Sequence, residues 1–251
     1  MDIAVIGGTG AEGFGLSLRL AAAGHRVVIG SRDAGRGAAA AEKAAGALGE
    51  QARVDGAANT DAAGSAEVVA VTVPFVGQAD LYRSIKDVVR PGGVVIDATS
   101  PLATAVGGRA WQVLRPWHGS AAEQAAAILG DRVRVVAAFH TIAAGALTDL
   151  DHPVDSDVFV CGDDPEAKGV AGALIEQIPD LRWVDVGTLS MARIAESLTA
   201  LLVSVNRTYK VRGAGFRVTG RPSWGAPGPA AGGGGSAPDR SGGAPEAPPG
   251  S

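Results

Sequence analysis

Residues 1–36 have the sequence MDIAVIGGTGAEGFGLSLRLAAAGHRVVIGSRDAGR, and this stretch decides the fold. Residues 2–6 are a short apolar run of the kind that forms a buried parallel strand. The run leads into GTGAEG at residues 8–13, which matches the G-x-G-x-x-G pattern found between a strand and a helix. A helix with an apolar face follows and Gly24 ends it, after which residues 26–30 form a second apolar run. The stretch predicts a β-α-β unit that binds a dinucleotide at its first turn.

The glycines of this turn have separate expected tasks. Gly8 is expected to permit the tight turn, Gly10 to let the backbone approach a pyrophosphate, and Gly13 to let the helix lie close to the strand. The alternative is a tight turn that binds no ligand, but the strands on either side favour the dinucleotide. The helix N-terminus would then face the phosphates. The predicted cofactor-binding residues here are Gly8, Thr9, Gly10, Ala11, Glu12 and Gly13.

The end of the second strand predicts which dinucleotide binds. An NAD site usually has an Asp or Glu there to hold the ribose hydroxyls. This chain has Ser31 and Arg32, with Arg36 one helical turn later. A hydroxyl can donate to a 2′-phosphate and guanidinium groups can pair with it, so the pattern favours NADP. The alternative is two solvated arginines at the start of a helix, for which Asp33 is a candidate cap.

Composition excludes several classes of protein. The chain has 251 residues, 46% of them hydrophobic, and a formal net charge of −4. Its Lys and Arg residues are scattered among acids, so no nucleic-acid surface is expected. Because Cys161 is the single cysteine, an internal disulfide is excluded and a reducing compartment fits. No signal peptide and no membrane-spanning run are recognised, and we expect a cytoplasmic protein with neither a membrane partner nor a metal.

Strand and helix patterns alternate along the rest of the chain. They predict an α/β fold, a Rossmann-type doubly wound parallel sheet with a small C-terminal α/β extension that ends in a long helix over residues 188–212. Loops at the carboxyl ends of such strands border the cofactor. The candidates are Val73, Pro74 and Phe75, then residues 99–102, then residues 140–144. Pro74 could also simply end its strand, and His140 could be a structural histidine.

The predicted C-terminal helix has two stripes. One is apolar, and it consists of Met191, Ile194, Leu198, Leu201 and Val205. The other is small or polar and has few charges, as a face over a bound ligand would, although a solvated face is the usual explanation. Its members are Arg193, Ser197, Ala200 and Ser204.

Composition changes abruptly near Gly220. The remaining residues are almost entirely Pro, Gly, Ala and Ser without periodicity, which predicts a disordered tail. We therefore divide the chain into an NADP-binding Rossmann domain (1–139), a small C-terminal region (140–218) and a disordered tail (219–251).

Four segments together resemble one family. They are GGTGAEGFGLSLRLAAAGHRVVIGSR near the start, then FHTIAA, VFVCGDD and ARIAESLT. They are similar to the F420-dependent NADP oxidoreductases, in which a Rossmann domain binds NADP and a C-terminal region closes a pocket for the deazaflavin F420. The resemblance covers residues 1–218. This chain departs from the family pattern at Phe75, Gly77, Ala143 and Ala200, so the edges of its pocket are expected to differ.

The resemblance implies site residues and an activity. The implied activity is hydride transfer between NADP(H) and coenzyme F420, in a homodimer. The implied catalytic residues are His140, Arg193, Ser197 and Thr199. Alongside the glycine turn, Ser31, Arg32 and Arg36, the implied cofactor-binding residues are Val73, Pro74, Phe75, Ser100, Ala103, Ile142 and Ala144.

Two other functions stay open from the sequence. One is an NADPH-dependent reductase of a small carbonyl or imine substrate, which would normally need a proton donor and a larger helical second domain. The other is a non-catalytic NADP-sensing module, which would have no reason to keep Arg193 and Ser197.

Overall fold

The fold is one mixed eight-stranded sheet with helices on both faces. A computed structural model describes residues 1–49 and 51–220. The strand order is β3-β2-β1-β4-β5-β6-β7-β8, and all neighbours are parallel except β6 and β7. The predicted Rossmann-type fold is confirmed. The predicted tail lies, from residue 221 onward, outside the described residues.

The elements follow the predicted alternation, with boundaries that differ by a few residues. The strands are β1 Asp2–Ile6, β2 Arg26–Ser31, β3 Arg53–Ala58, β4 Val68–Val71, β5 Val94–Asp97, β6 Arg134–Ala137, β7 Ser156–Gly162 and β8 Leu181–Asp185. The helices are α1 Ala11–Ala22, α2 Ala34–Leu48, α3 Asn59–Ser65, α4 Phe75–Ile85, α5 Ala121–Leu129, α6 Ala144–Thr148, α7 Pro165–Glu176, α8 Ala192–Ala195 and α9 Leu198–Tyr209. Short 3₁₀ turns occupy Ala103–Val106 and Leu189–Met191.

The central strands are apolar throughout because both faces of the sheet are covered. In β1, Ile3 and Val5 pack into one core and Ala4 and Ile6 into the other. Residues i and i+2 of a strand point to the same face, so a continuous apolar run supplies both cores at once. This is why β1 carries no alternation of polar and apolar residues.

The C-terminal extension continues the same sheet. β7 pairs antiparallel with β6, and β8 then pairs parallel with β7. The helix predicted over residues 188–212 spans a 3₁₀ turn, α8 and α9. The backbone tightens between α8 and α9, where the N–H groups of Ser197, Thr199 and Ala200 bond to carbonyls three residues earlier. The Ser197 hydroxyl also donates to the Arg193 carbonyl, a contact that commonly distorts a helix.

The apolar stripe of this region does not coincide with its buried face. Ile194 is 58% exposed and Leu201 is 51% exposed. The residues that pack inward are Ala192, Ala195, Ala200 and Leu202. Small side chains let the helices approach the sheet closely, so burial selects alanines here. Within the described residues, we find no helix with the length and hydropathy needed to cross a membrane.

Candidate functional site

A cleft of about 900 Å³ runs along the carboxyl edge of the sheet. It lies where the strand order reverses between β1 and β4, which is where open α/β sheets bind their ligands. One end is bordered by the end of β2, at Arg32 and Arg36. The other end is bordered by Ser100, His140 and Thr199. The cleft thus connects an exposed basic end to an end enclosed by the C-terminal region.

The turn after β1 depends on Gly7, which the sequence prediction treated only as an additional glycine. Gly7 has φ of +78°, a conformation that L residues with a side chain rarely adopt. Gly8 does not have a positive φ; its N–H bonds to the carbonyls of Val5 and Gly30, and an added Cβ would lie 2.7 Å from the Val5 oxygen. Gly7 therefore supplies the unusual backbone conformation of the turn, and Gly8 also permits the turn because a side chain there would clash with the Val5 carbonyl that closes it.

The other two glycines match their expected physical roles. A Cβ at Gly13 would lie 2.4 Å from the Thr72 hydroxyl and 2.8 Å from the Gly8 Cα, so α1 could not approach the strands with a side chain there. A Cβ at Gly10 would meet only the Gly7 carbonyl, at 3.3 Å, and otherwise point into open space. Gly10 is the N-cap of α1, and no side chain caps this helix. The free N–H groups at the start of α1 suit a pyrophosphate.

The basic end of the cleft has no internal counterion. Arg32 and Arg36 are exposed and line the cleft, and no carboxylate within the described residues forms an ion pair with either of them. Asp33 points elsewhere, since its carboxylate accepts the Arg36 N–H at 2.8 Å and caps α2, as predicted. Ser31 also lines the cleft, only 4% exposed. These groups fit a phosphate monoester better than ribose hydroxyls.

Two buried polar atoms at the cleft have no hydrogen-bond partner within the described residues. They are Asn59 Oδ1 and His140 Nε2, and both residues line the cleft. Buried polar groups are usually paired, so these two atoms fit a site that a ligand completes. Asn59 was missed by the sequence analysis, since an asparagine at the start of a helix is an ordinary capping residue.

Burial determines the charge of His140. Its side chain is 7% exposed, and burial lowers its pKa to about 4. The imidazole is therefore neutral at physiological pH. It can donate or accept a hydrogen bond, but it holds no proton that it could readily give up at neutral pH.

Thr199 connects the C-terminal region to the strand ends. Its hydroxyl donates to the His140 carbonyl at 2.7 Å and lies 2.6 Å from the Ser100 hydroxyl. Thr199 belongs to α9, whereas Ser100 follows β5 and His140 follows β6. The three residues thus meet at the enclosed end of the cleft, although 99 positions separate Ser100 from Thr199.

A layer of acidic residues lies beneath the cleft. Asp97 is fully buried and accepts bonds from the Gln78 amide at 2.7 Å, the Tyr82 hydroxyl at 2.5 Å and the Thr99 N–H at 2.8 Å. Burial raises the pKa of Asp97, against the effect of these hydrogen bonds. Glu12 lines the cleft, and burial together with the nearby Asp97 raises its pKa to about 8. Glu12 is thus largely protonated at pH 7, so it presents little negative charge to a phosphate.

The comparisons with known proteins agree with this geometry. The sequence model of the family described as "NADP oxidoreductase coenzyme F420-dependent" matches residues 2–101. F420-dependent NADP reductases of Methanothermobacter thermautotrophicus and Methanothermobacter marburgensis are 47% and 45% identical to the chain over 224 residues. The alignments cover 88% of this chain and 96% and 100% of those relatives. The chain belongs to the F420-dependent NADP oxidoreductase family.

A solved structure from this family has the same fold. It is the crystal structure of a proposed F420-dependent NADP reductase from Arthrobacter sp. FB24, 27% identical with a TM-score of 0.74. The match covers 87% of this chain and 99% of that one. A 3-hydroxyisobutyrate dehydrogenase of Mycobacterium tuberculosis, at 17% identity and a TM-score of 0.58, shares the fold alone. The predicted family is confirmed over both the Rossmann strands and the C-terminal extension.

The structure brings twelve of the predicted site residues to the cleft. They are Thr9, Gly10, Ala11, Glu12, Ser31, Arg32, Arg36, Val73, Pro74, Ser100, His140 and Thr199. Cleft-lining residues that the sequence analysis did not assign to the site include Asn59, Thr72, Asp80 and Leu81. Those on α4 were missed because helix residues facing a ligand have the same spacing as residues facing a core.

The other predicted residues lie outside the cleft lining. Gly8 and Gly13 are buried beneath the turn. Phe75, Ala103, Ile142 and Ala144 are not among the residues that line it; Ile142, for example, is 8% exposed and packs in the core. Arg193 instead pairs with Glu123 on α5, with two nitrogen–oxygen distances of 2.6 and 2.8 Å. Ser197 lies between α8 and α9, and its hydroxyl donates to the Arg193 carbonyl in α8.

Proposed function

We propose that this member of the family transfers a hydride between NADP(H) and F420 in the cleft described above. The adenosine phosphate of NADP would lie at Arg32 and Arg36, the pyrophosphate at the start of α1, and the deazaflavin at the enclosed end near Ser100, His140 and Thr199. The single observation that carries the proposal concerns the two ends of one cleft. Within the described residues, its basic end has no carboxylate partner, and its enclosed end is bordered by the neutral His140 and the hydroxyls of Ser100 and Thr199.

Support for NADP comes from three independent features of the chain. The start of α1 offers free N–H groups, and Arg32 and Arg36 lack carboxylate partners within the described residues. The buried Asn59 Oδ1 atom has no hydrogen-bond donor there and can accept from a ligand hydroxyl. Each feature is suited to an anionic or hydroxylated ligand. The raised pKa of Glu12 removes a negative charge that would oppose a pyrophosphate at the start of α1.

Support for hydride transfer comes from the residues at the enclosed end, because His140, Ser100 and Thr199 include no proton donor for neutral pH. When bound, the nicotinamide and the deazaflavin supply the redox chemistry themselves, and the protein has to hold the reacting carbons about 3–3.5 Å apart and exclude water. The neutral His140 and the hydroxyls of Ser100 and Thr199 can orient a heterocycle by hydrogen bonds. A carbonyl or imine reductase would instead need a group that gives up a proton near neutral pH, which none of these three does.

The catalytic roles expected of Arg193 and Ser197 stay predictions, and this proposal does not use them. The contacts of Arg193 attach α8 to α5, and the Ser197 hydroxyl donates to the Arg193 carbonyl in α8. We keep residues 140–218 as the region that closes the pocket, because Thr199 contacts both Ser100 and His140. A homodimer and a cytoplasmic location remain predictions.

Stopped-flow mixing of the protein with NADPH and F420 tests the proposal. We expect the absorbance band of the oxidised deazaflavin to bleach as NADPH is consumed, with no carbonyl or imine compound added. If F420 is inert and NADPH is consumed only with such a compound, the chain is an NADPH-dependent carbonyl or imine reductase. NADPH binding without turnover of any acceptor would indicate a sensor. Either result overturns the proposal.

A further inference from the structure

Two segments that border the enclosed end of the cleft are almost free of acids. The whole chain has 26 Asp and Glu against 22 Lys and Arg. Residues 98–120 nevertheless contain no acid, and residues 189–220 contain only Glu196. Glu196 is 1% exposed, and its carboxylate accepts the N–H groups of Ala121 and Ala122. An acidic protein therefore presents a locally basic surface at this place.

The two segments meet at Trp111. The guanidinium carbon of Arg207, on α9, lies 4.2 Å from the centre of the Trp111 ring, and that of Arg109 lies 5.2 Å from it. Both arginines are exposed, and within the described chain neither forms an ion pair with a carboxylate. We call Arg109, Trp111 and Arg207 the guanidinium–indole cluster. The Trp111 ring thus contacts both guanidinium groups, and neither group has a carboxylate partner within the described chain.

This arrangement favours an anion. Each guanidinium group is attracted to the indole ring, but two cations on one ring also repel each other. A bound phosphate or carboxylate would lessen that repulsion and can accept hydrogen bonds from a guanidinium group. Arg193 and Arg217, the other arginines of these segments with strong contacts, are already paired with Glu123 and with Asp155 and Asp157.

The cluster is attached to the cleft on two sides. The Trp111 loop is hydrogen-bonded to the strand end that lines the cleft, through Ala103 N–H to the Gln112 carbonyl and Leu114 N–H to the Pro101 carbonyl. On the other side, Arg207 lies eight residues after Thr199 on α9, which places it about 12 Å further along the helix axis. The cluster therefore belongs to the two segments that form the enclosed end of the cleft, and not to the basic end at Arg32 and Arg36.

We infer that the guanidinium–indole cluster is a subsite for the anionic side chain of the acceptor, binding the phosphodiester and carboxylates that F420 carries beyond its ribityl chain. This inference rests on the proposed function, because it takes the deazaflavin ring to lie near Ser100 and Thr199. It adds that the protein recognises the side chain of the acceptor as well as its ring. The expected ligand class is a flexible polyanion joined to a planar heterocycle.

Equilibrium binding to the full chain with saturating NADP⁺ tests the inference. Two ligands are titrated, F420 and the tail-free deazaflavin that ends at the ribityl hydroxyl, and KM values for both are measured alongside. The variants are Arg109→Gln, Arg207→Gln and the double variant. Arg132→Gln is the control, since Arg132 is exposed at the opposite edge of the sheet. Melting temperatures identify any variant that fails to fold.

We expect each single variant to weaken F420 binding about threefold to tenfold, and to leave binding of the tail-free deazaflavin and of NADP⁺ unchanged. The effect should shrink as salt is raised, since exposed charges are screened. Equal binding of the two ligands by the unaltered protein would overturn the inference, as would a parallel loss of both in the variants. A change of oligomeric state in the variants with F420 binding intact would mean that a second copy covers the cluster. Because binding is measured directly, a failure of hydride transfer would count against the proposed function and not against this subsite.

Discussion

Arg32 is the residue at which the preference for NADP over NAD can be tested most sharply. Its guanidinium faces the cleft without a carboxylate partner in the described chain, and NAD lacks the 2′-phosphate that it would bind. A hydrogen bond to a charged group contributes about 1.5–3 kcal/mol, which corresponds to roughly tenfold to a hundredfold in affinity. Arg32→Ala should weaken NADP by that factor and leave NAD almost unchanged in calorimetric titrations. Arg132→Ala is the control, and an equal loss for both cofactors would show that Arg32 has a structural role.

Glu12 should make NADP binding depend on pH. Its pKa of about 8 means that raising the pH from 7 to 9 creates a negative charge on the wall of the cleft. NADP affinity should be steady near pH 7 and fall above pH 8, by at most about tenfold per pH unit for one proton. Glu12→Gln should abolish this dependence. A binding titration that shows the same decline in the glutamine variant would contradict the assignment.

A single site residue could be predicted from the sequence when its residue type is unusual for its position in the fold. Arg32 and Arg36 stand out because an acid is expected at the end of β2. Asn59 could not be recognised, because its importance depends on an oxygen left without a partner in three dimensions. Arg193 was assigned to the pocket by family resemblance, and only the structure reveals its contact with Glu123, 70 positions away.

The contact between α1 and the strand ends should not tolerate even a methyl group. Gly13→Ala would bring a carbon to 2.4 Å from the Thr72 hydroxyl and 2.8 Å from the Gly8 Cα. We expect a loss of about 1–3 kcal/mol in the free energy of unfolding, together with weaker NADP binding because the start of α1 must shift. Urea denaturation measures the first effect and cofactor titration the second.

Gly46→Ala is the matched control for Gly13→Ala. Gly46 lies in α2, and a Cβ there would meet nothing within 4 Å. The same substitution should therefore stabilise the protein by about 0.4–1 kcal/mol through helix propensity. If both variants lose stability equally, the close approach of α1 is not the cause.

Elements were predictable where one physical rule dominates. The central strands follow from continuous apolar runs, and α2 follows from the capping residue Asp33. The C-terminal helix was less predictable. Its apolar stripe suggested a buried face, but alanines are buried while Ile194 and Leu201 stay exposed. Hydrophobic periodicity measures side-chain character, and it cannot tell which neighbour the helix meets.

At the scale of the whole molecule, stability should fall as the pH rises from 6.5 to 8. Burial raises the pKa of Glu196 to about 8, against an ordinary value near 4.5. Between these values the folded protein holds a proton that the unfolded chain has released, so each pH unit lowers the free energy of unfolding by about 1.4 kcal/mol. The pKa of Glu12 adds a change of the same sign.

Urea denaturation at pH 6.5, 7.2 and 8 measures this loss. The lowered pKa of His140 acts mainly below this range, because the imidazole is neutral in both states once the pH exceeds about 6.5. Because Glu12 contributes a change of the same sign, Glu196→Gln should reduce the slope by about half. Stability that rises with pH, or an unchanged slope in that variant, would show that these carboxyl groups are ionised in the folded protein.

Direct transfer of the hydride is the central claim, and isotopic labelling tests it most directly. NADPH carrying deuterium at both C4 positions is mixed with F420 and the protein in ordinary water, and the reduced deazaflavin is analysed by mass spectrometry. If the two cofactors react in one water-excluding cleft, each reduced deazaflavin should carry one deuterium at C5. A product that carries hydrogen from the solvent at C5, or no reduced deazaflavin at all, would contradict the account.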